Sequence, residues 1–161
     1  MDRVSADGNG PRFLIADDHA MFAETLRVYL EKTYRVVGLV ADGRAMVAEA
    51  MRLRPDVIVA DVGMPILNGL DAARRIKLQV PNIKFIFLTM HDDPNLAAAA
   101  LELGPIGFVL KHSTGQYTIS WYRPLAATLP VTYQAHAMRS SCLRLNALLA
   151  AQIHVSPEES R

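Results

Sequence analysis

The sequence is poor in the features that mark exported and membrane proteins. Cysteine occurs once, at Cys142, so no internal disulfide can form and a reducing compartment is expected. No stretch reaches the roughly 18 uncharged apolar residues of a membrane span. The opening MDRVSADGNGPR has no apolar core of signal-peptide length. Together these absences predict a cytoplasmic protein without membrane contact. Charge of one sign is missing too: 17 Lys plus Arg face 16 Asp plus Glu, a formal net charge of +1, which excludes a tail-driven polyanion binder. A disordered chain is excluded by the 51% hydrophobic content. The length of 161 residues suits one domain, or one domain with an appendage.

A local absence is more informative. Residues 1–111 hold 14 acids and 13 bases, whereas residues 112–157 hold no Asp or Glu and only three bases, Arg123, Arg139 and Arg144. The chain is therefore read as an N-terminal arm (1–11), a patterned region (12–111) and an unpatterned remainder.

The patterned region alternates two periodicities. Phe13-Leu14-Ile15-Ala16 is a short apolar run stopping at Asp17-Asp18, as a strand buried on both faces would. Phe22, Leu26, Tyr29 and Leu30 then fall on one helical stripe. Val36 to Ala41 reads as a second strand closed by Asp42-Gly43, and Ala45 to Leu53 as a helix ended by Pro55. Val57 to Ala60 makes a third strand stopping at Asp61; Leu70, Ala73 and Ile76 stripe a third helix, broken by Pro81-Asn82. Ile83 to Leu88 is a fourth strand ending at Thr89. Asp93-Pro94 opens an Ala-rich helix that Gly104 closes, and Phe108-Val109-Leu110 is a fifth strand ending at Lys111. Five apolar strands separated by four helices predict a doubly wound α/β domain, a parallel sheet with helices on both faces. Ligands in such sheets sit at the carboxyl ends of the strands.

Those ends carry Asp17, Asp18, Asp61, Thr89 and Lys111. Carboxylates crowded together repel, by about 4 kcal/mol for a pair 4 Å apart at an effective dielectric of 20, so a cation must lie among them. Lys111 is one. An all-oxygen ligand set suits a hard divalent ion such as Mg²⁺. Missing parts exclude most chemistry: there is no Ser-His pairing for acyl transfer, and the GNG at residues 8–10 precedes the first strand without a following Lys-Ser/Thr. Phosphoryl transfer needs chiefly positioning and charge neutralisation. Asp61 is then the candidate nucleophile, Asp17 and Asp18 the cation holders, and Thr89 and Lys111 the groups that take phosphoryl oxygens.

At these residues the chain resembles the receiver domain of bacterial two-component response regulators, in its NarL/LuxR-type branch. The carriers are Asp17-Asp18, the D-x-x-M-P-x-x-N-G pattern at Asp61, Met64, Pro65, Asn68 and Gly69, then Thr89, Phe108 and Lys111. The resemblance runs over residues 12–113. It implies a five-stranded, flavodoxin-like sheet in the order 2-1-3-4-5 and phosphoryl transfer onto Asp61 from a sensor histidine kinase. It also implies Mg²⁺ held by Asp17, Asp18, Asp61 and the Gly63 carbonyl, Thr89 and Lys111 engaging the phosphoryl group, and Phe108 turning as the switch aromatic. A second copy of the chain is a further candidate partner. No DNA binding is expected from this chain, because residues 114–161 show no output domain.

Lesser features have plainer readings. Pro65 sets a rigid turn, and Gly69 permits a backbone conformation other residues resist. His19, His91, His112, His136 and His154 share no metal-ligand spacing and read as solvated or packing residues. Phe22 suits either a kinase-docking face, by family analogy, or the core. The family's fifth helix is in doubt, since residues 114–129 lack carboxylates and carry Pro124; a shifted reading frame or rearrangement from about Thr114 is the simplest account. Rival functions are an output-less receiver acting as a protein-binding adaptor or phosphate sink, and an Asp-nucleophile hydrolase. Against the hydrolase, Gly63 stands where an acid/base partner two residues after Asp61 is needed.

Overall fold

The computed structural model describes residues 10–91, 93–105 and 107–111. The expected elements follow in order: β1 (Arg12–Ala16), α1 (Ala20–Leu30), β2 (Arg35–Val40), α2 (Gly43–Leu53), β3 (Val57–Asp61), α3 (Gly69–Gln79), β4 (Lys84–Thr89), α4 (Pro94–Leu101) and β5 (Gly107–Leu110). All strand pairs are parallel, and the sheet order is β2-β1-β3-β4-β5. The doubly wound α/β fold is therefore present as the sequence predicts. The expected fifth helix and the segment 114–161 lie outside the described residues.

Alternation along the strands divides the core. Leu14, Ile58, Phe85, Phe87 and Phe108 point to one face and pack with Met46 and Ala50 of α2, Ala73 and Ile76 of α3, and Ala97 of α4. Phe13, Ile15, Val57, Val59, Ile86, Leu88 and Val109 point to the other, against Ala23 and Leu30 of α1. Side chains such as Phe13, Ile58 and Phe87 are fully buried, each stabilising the fold by roughly 1.5–3 kcal/mol.

Local chemistry sets the helix starts. Asp42 caps α2 by accepting from Ala45 N at 2.8 Å, so the pair read as closing β2 also opens the next helix, which begins at Gly43 instead of Ala45. Asn68 caps α3 and Asp93 caps α4, with Pro94 at the first turn. Gly104, with φ +59°, ends α4 in the left-handed conformation glycine tolerates.

This topology fixes where chemistry can occur. From β1 the chain moves outward to β2, then returns across β1 to β3. The direction of winding reverses between β1 and β3, and their carboxyl ends open a crevice there. Asp17 and Asp61 stand at its two sides.

Candidate functional site

Asp17 leaves β1 with its backbone N–H bonded to the Val40 carbonyl at 2.9 Å, which anchors it beside β2. Asp61 ends β3, and Val62 N–H donates to the Leu88 carbonyl at 2.8 Å, tying that end to β4. Lys111 follows β5, its backbone N–H donating to the Thr89 carbonyl at 2.7 Å. Ladder bonds thus bring four strand ends together.

Their side chains converge. Asp17 and Asp61 are 2% exposed and Lys111 is 4% exposed, values that charged residues reach only when paired. The Lys111 ammonium donates to Asp17 Oδ2 in a very short contact and to Asp61 Oδ2 at 2.9 Å. Asp61 Oδ1 accepts the Gly63 N–H at 3.1 Å, so both oxygens of this carboxylate are held. Asp18 lies at the exposed mouth. Ligand atoms of Asp17, Asp18, His19 and Asp61 all lie within 4.8 Å of one another. Three carboxylates against one ammonium leave two formal negative charges, and hard oxygen donors in such excess fit a hard divalent cation.

Thr89 is buried at the end of β4, but its hydroxyl turns toward its own loop. It donates to the His91 carbonyl at 3.3 Å and accepts the His91 N–H at 3.1 Å. Phe108, 8% exposed, sits opposite Phe87 in the β4–β5 register and belongs to the core face of α2, α3 and α4.

Two readings need correction. His19, read from sequence as solvated or packing, places its Nδ1 within hydrogen-bond distance of Asp17 Oδ1, at 3.1 Å, and 3.2 Å from Asp18 Oδ1 and 3.6 Å from Asp61 Oδ2, so a ring nitrogen borders the carboxylates. The cause is the turn into α1: as N-cap with φ −88° and ψ 91°, His19 folds its ring back over the strand ends. Phe22, one turn further on, packs against the core as the helical stripe predicts, and its ring also lies 4.4 Å from Lys111 Nζ, a cation–π contact. Gly69 is required by space and not by φ. A Cβ there would lie 2.1 Å from the Asp61 carbonyl oxygen. The left-handed residue of this loop is instead Ile66, φ +68°, at the centre of a tight turn closed by Leu67 N–H to the Pro65 carbonyl at 2.7 Å. A β-branched residue in that conformation is strained, by about 1–3 kcal/mol.

Comparison with known proteins agrees with this architecture. The sequence profile of the response regulator receiver domain matches residues 13–119. The chain belongs to that family. Among curated relatives of this receiver, the transcriptional regulatory protein DegU of Brevibacillus brevis is 33% identical over 105 residues, covering 64% of this chain and 44% of DegU. The chemotaxis protein CheY of Thermotoga maritima is 33% identical over 103 residues, covering 63% of this chain and 86% of CheY. The signal receiver domain of the putative response regulator NarL from Mycobacterium tuberculosis superposes with a TM-score of 0.61 at 31% identity, over 65% of this chain and 86% of that one. The match to the transcriptional regulators spans about half their length, 44–54%. No helix among the described residues is long and apolar enough to cross a membrane.

Proposed function

We propose that this receiver accepts a phosphoryl group onto Asp61 from the phosphohistidine of a sensor kinase, with Mg²⁺ as cofactor, and changes conformation as a result. The observation that supports it is the burial of Asp17 and Asp61 around a single lysine at the reversal point of the sheet. A fold gains nothing from desolvating unlike numbers of charges, since each buried ion costs several kcal/mol.

In the transfer, an Asp61 oxygen forms a bond to phosphorus while the bond from phosphorus to the histidine nitrogen breaks, the electron pair staying with the imidazole. Lys111 and the Gly63 N–H hold the carboxylate against rotation, which is the positioning that phosphoryl transfer needs. Asp17, Asp18 and Asp61 would hold the cation with the Gly63 carbonyl, and the ion supplies neutralisation of the transferring oxygens. The product adds roughly two negative charges and three acceptor oxygens beside Lys111.

Thr89 then has a better partner than its own loop. Its two bonds to His91 are neutral ones worth about 0.5–1.5 kcal/mol each, whereas a bond to a charged acceptor is worth about 1.5–3 kcal/mol. Turning the hydroxyl inward frees the segment after β4 and vacates space for the Phe108 ring, a population shift between two packings.

Incubation with acetyl phosphate and Mg²⁺, read by intact mass, tests the proposal. One phosphoryl adduct that is absent in Asp61→Asn and absent with chelator is the expected result. An adduct that persists in Asp61→Asn overturns it, and continuous turnover of phosphate esters points to the hydrolase reading.

A further inference from the structure

We infer that His19 is a metal ligand of the acidic cluster and shifts its preference from magnesium toward manganese(II) and zinc(II). This rests on the proposed cation site and concerns which ions that site selects.

The ring nitrogen lies where three carboxylates from two strand ends point. Asp17, Asp18 and Asp61 each direct an oxygen at His19 Nδ1, at 3.1, 3.2 and 3.6 Å. Lys111 holds Asp17 through the other oxygen, Oδ2, while Asp61 Oδ2 faces both the ammonium, at 2.9 Å, and the imidazole, at 3.6 Å. Packing does not account for the ring's place, because the side chain is 58% exposed. Capping does not account for it either: His19 is the N-cap of α1 but makes no side-chain cap bond, and Ser, Thr, Asp or Asn serve that position better. The ring is held by its hydrogen bond to Asp17 Oδ1, which keeps the nitrogen within 3.6 Å of an oxygen of each of the three carboxylates that would surround an ion.

One nitrogen among oxygens changes the selection. Carboxylates and water suit Mg²⁺, which demands near-ideal octahedral oxygen coordination and sheds water reluctantly. Imidazole suits zinc and its neighbours, and affinity of mixed nitrogen–oxygen sites rises from manganese toward the later divalent metals. A receiver with this mixed set responds to which divalent ions are available as well as to its phosphoryl donor.

The test uses the full chain, wild type and the variants His19→Ala, His19→Asn and Asp18→Asn, titrated separately with Mg²⁺, Mn²⁺ and Zn²⁺ by calorimetry. Pulsed electron paramagnetic resonance of the Mn²⁺ form then looks for coupling to a ligand nitrogen. His19→Asn retains a polar N-cap, which separates ligation from any loss of folding. Because the chain has five histidines, the difference between wild type and variant is the readout. Expected are a fall on the order of tenfold in the Mn²⁺/Mg²⁺ and Zn²⁺/Mg²⁺ affinity ratios in both His19 variants, unchanged Mg²⁺ affinity, and loss of the nitrogen coupling. Unchanged ratios, or a uniform tightening of all three metals that marks the ring as a mere competitor, overturn the inference while leaving the cation site intact. Metal binding that is absent, or indifferent to Asp18→Asn, overturns the cation site itself and the inference with it.

Discussion

The two edges of this sheet carry the same kinds of side chain and use them differently. At the amino edge, Arg12 N–H donates to Asp56 Oδ2 at 2.8 Å and the Arg12 guanidinium donates to the Arg54 carbonyl at 3.2 Å, all in exposed positions. At the carboxyl edge, Asp17, Asp61 and Lys111 are almost wholly buried and acids outnumber the lysine. Water screens the first group, so it is a tolerable way to end strands. The second persists against a desolvation cost that folding alone does not require. Burial and imbalance of charge, more than its presence, single out the carboxyl edge as the candidate site.

Stability measurements can break that contrast. With chelator present, Lys111→Met strands two buried carboxylates and is expected to lower unfolding free energy by about 3–5 kcal/mol, against less than about 1 kcal/mol for Arg12→Ala; equal shifts in the urea midpoint refute the comparison. Glycines extend it with a smaller effect. Gly69→Ala drives a Cβ into the Asp61 carbonyl and costs about 1–3 kcal/mol, whereas Gly10→Ala at the opposite edge meets nothing within 4 Å and stays within about 0.5 kcal/mol of wild type.

The smallest effect concerns the cap that holds the loop after Asp61. Asn68 and Asp71 bond reciprocally: Asp71 N–H to Asn68 Oδ1 at 2.8 Å, and Asn68 Nδ2 to Asp71 Oδ2 at 2.7 Å. Asn68→Ala should cost about 1 kcal/mol. The Asn68 amide, and after it the Arg74 guanidinium, hold the Asp71 carboxyl below its usual range. A depressed folded value stabilises above the unfolded pKa of about 3.9 and is lost as pH falls through the folded value. The gap between wild type and Asn68→Ala is therefore full at neutral pH and narrows in acid below about pH 4; a gap that widens in acid contradicts the assignment.

Much of the fold was legible because its strands are buried on both faces. Val57 to Asp61 is buried throughout, so an unbroken apolar run marks it directly. The edge strand β2, partly exposed along its length, runs from Arg35 to Val40, one residue earlier at each end than its apolar run predicts. The approach of Asp17, Asp61 and Lys111 followed from parallel topology, which gathers strand ends whatever the loops do. His19 and Phe22 were not legible in the same way. His19 reaches the carboxylates through the backbone angles of one N-cap, and Phe22, in the first turn of α1, meets Lys111 across 89 residues of chain. Adjacency to Asp17-Asp18 is the signal the sequence carries for His19; regular ligand spacing is not. For Gly69, the missing information was the thickness of the backbone beneath it.

That glycine also sets how motion can spread. With no side chain between them, the first turn of α3 rests directly on the main chain of Asp61, and Gly69 N–H bonds the Val62 carbonyl at 3.0 Å. The helix has no slack there. A displacement of the β3 terminus would therefore meet the first turn of α3 directly, with no side chain between them to absorb it.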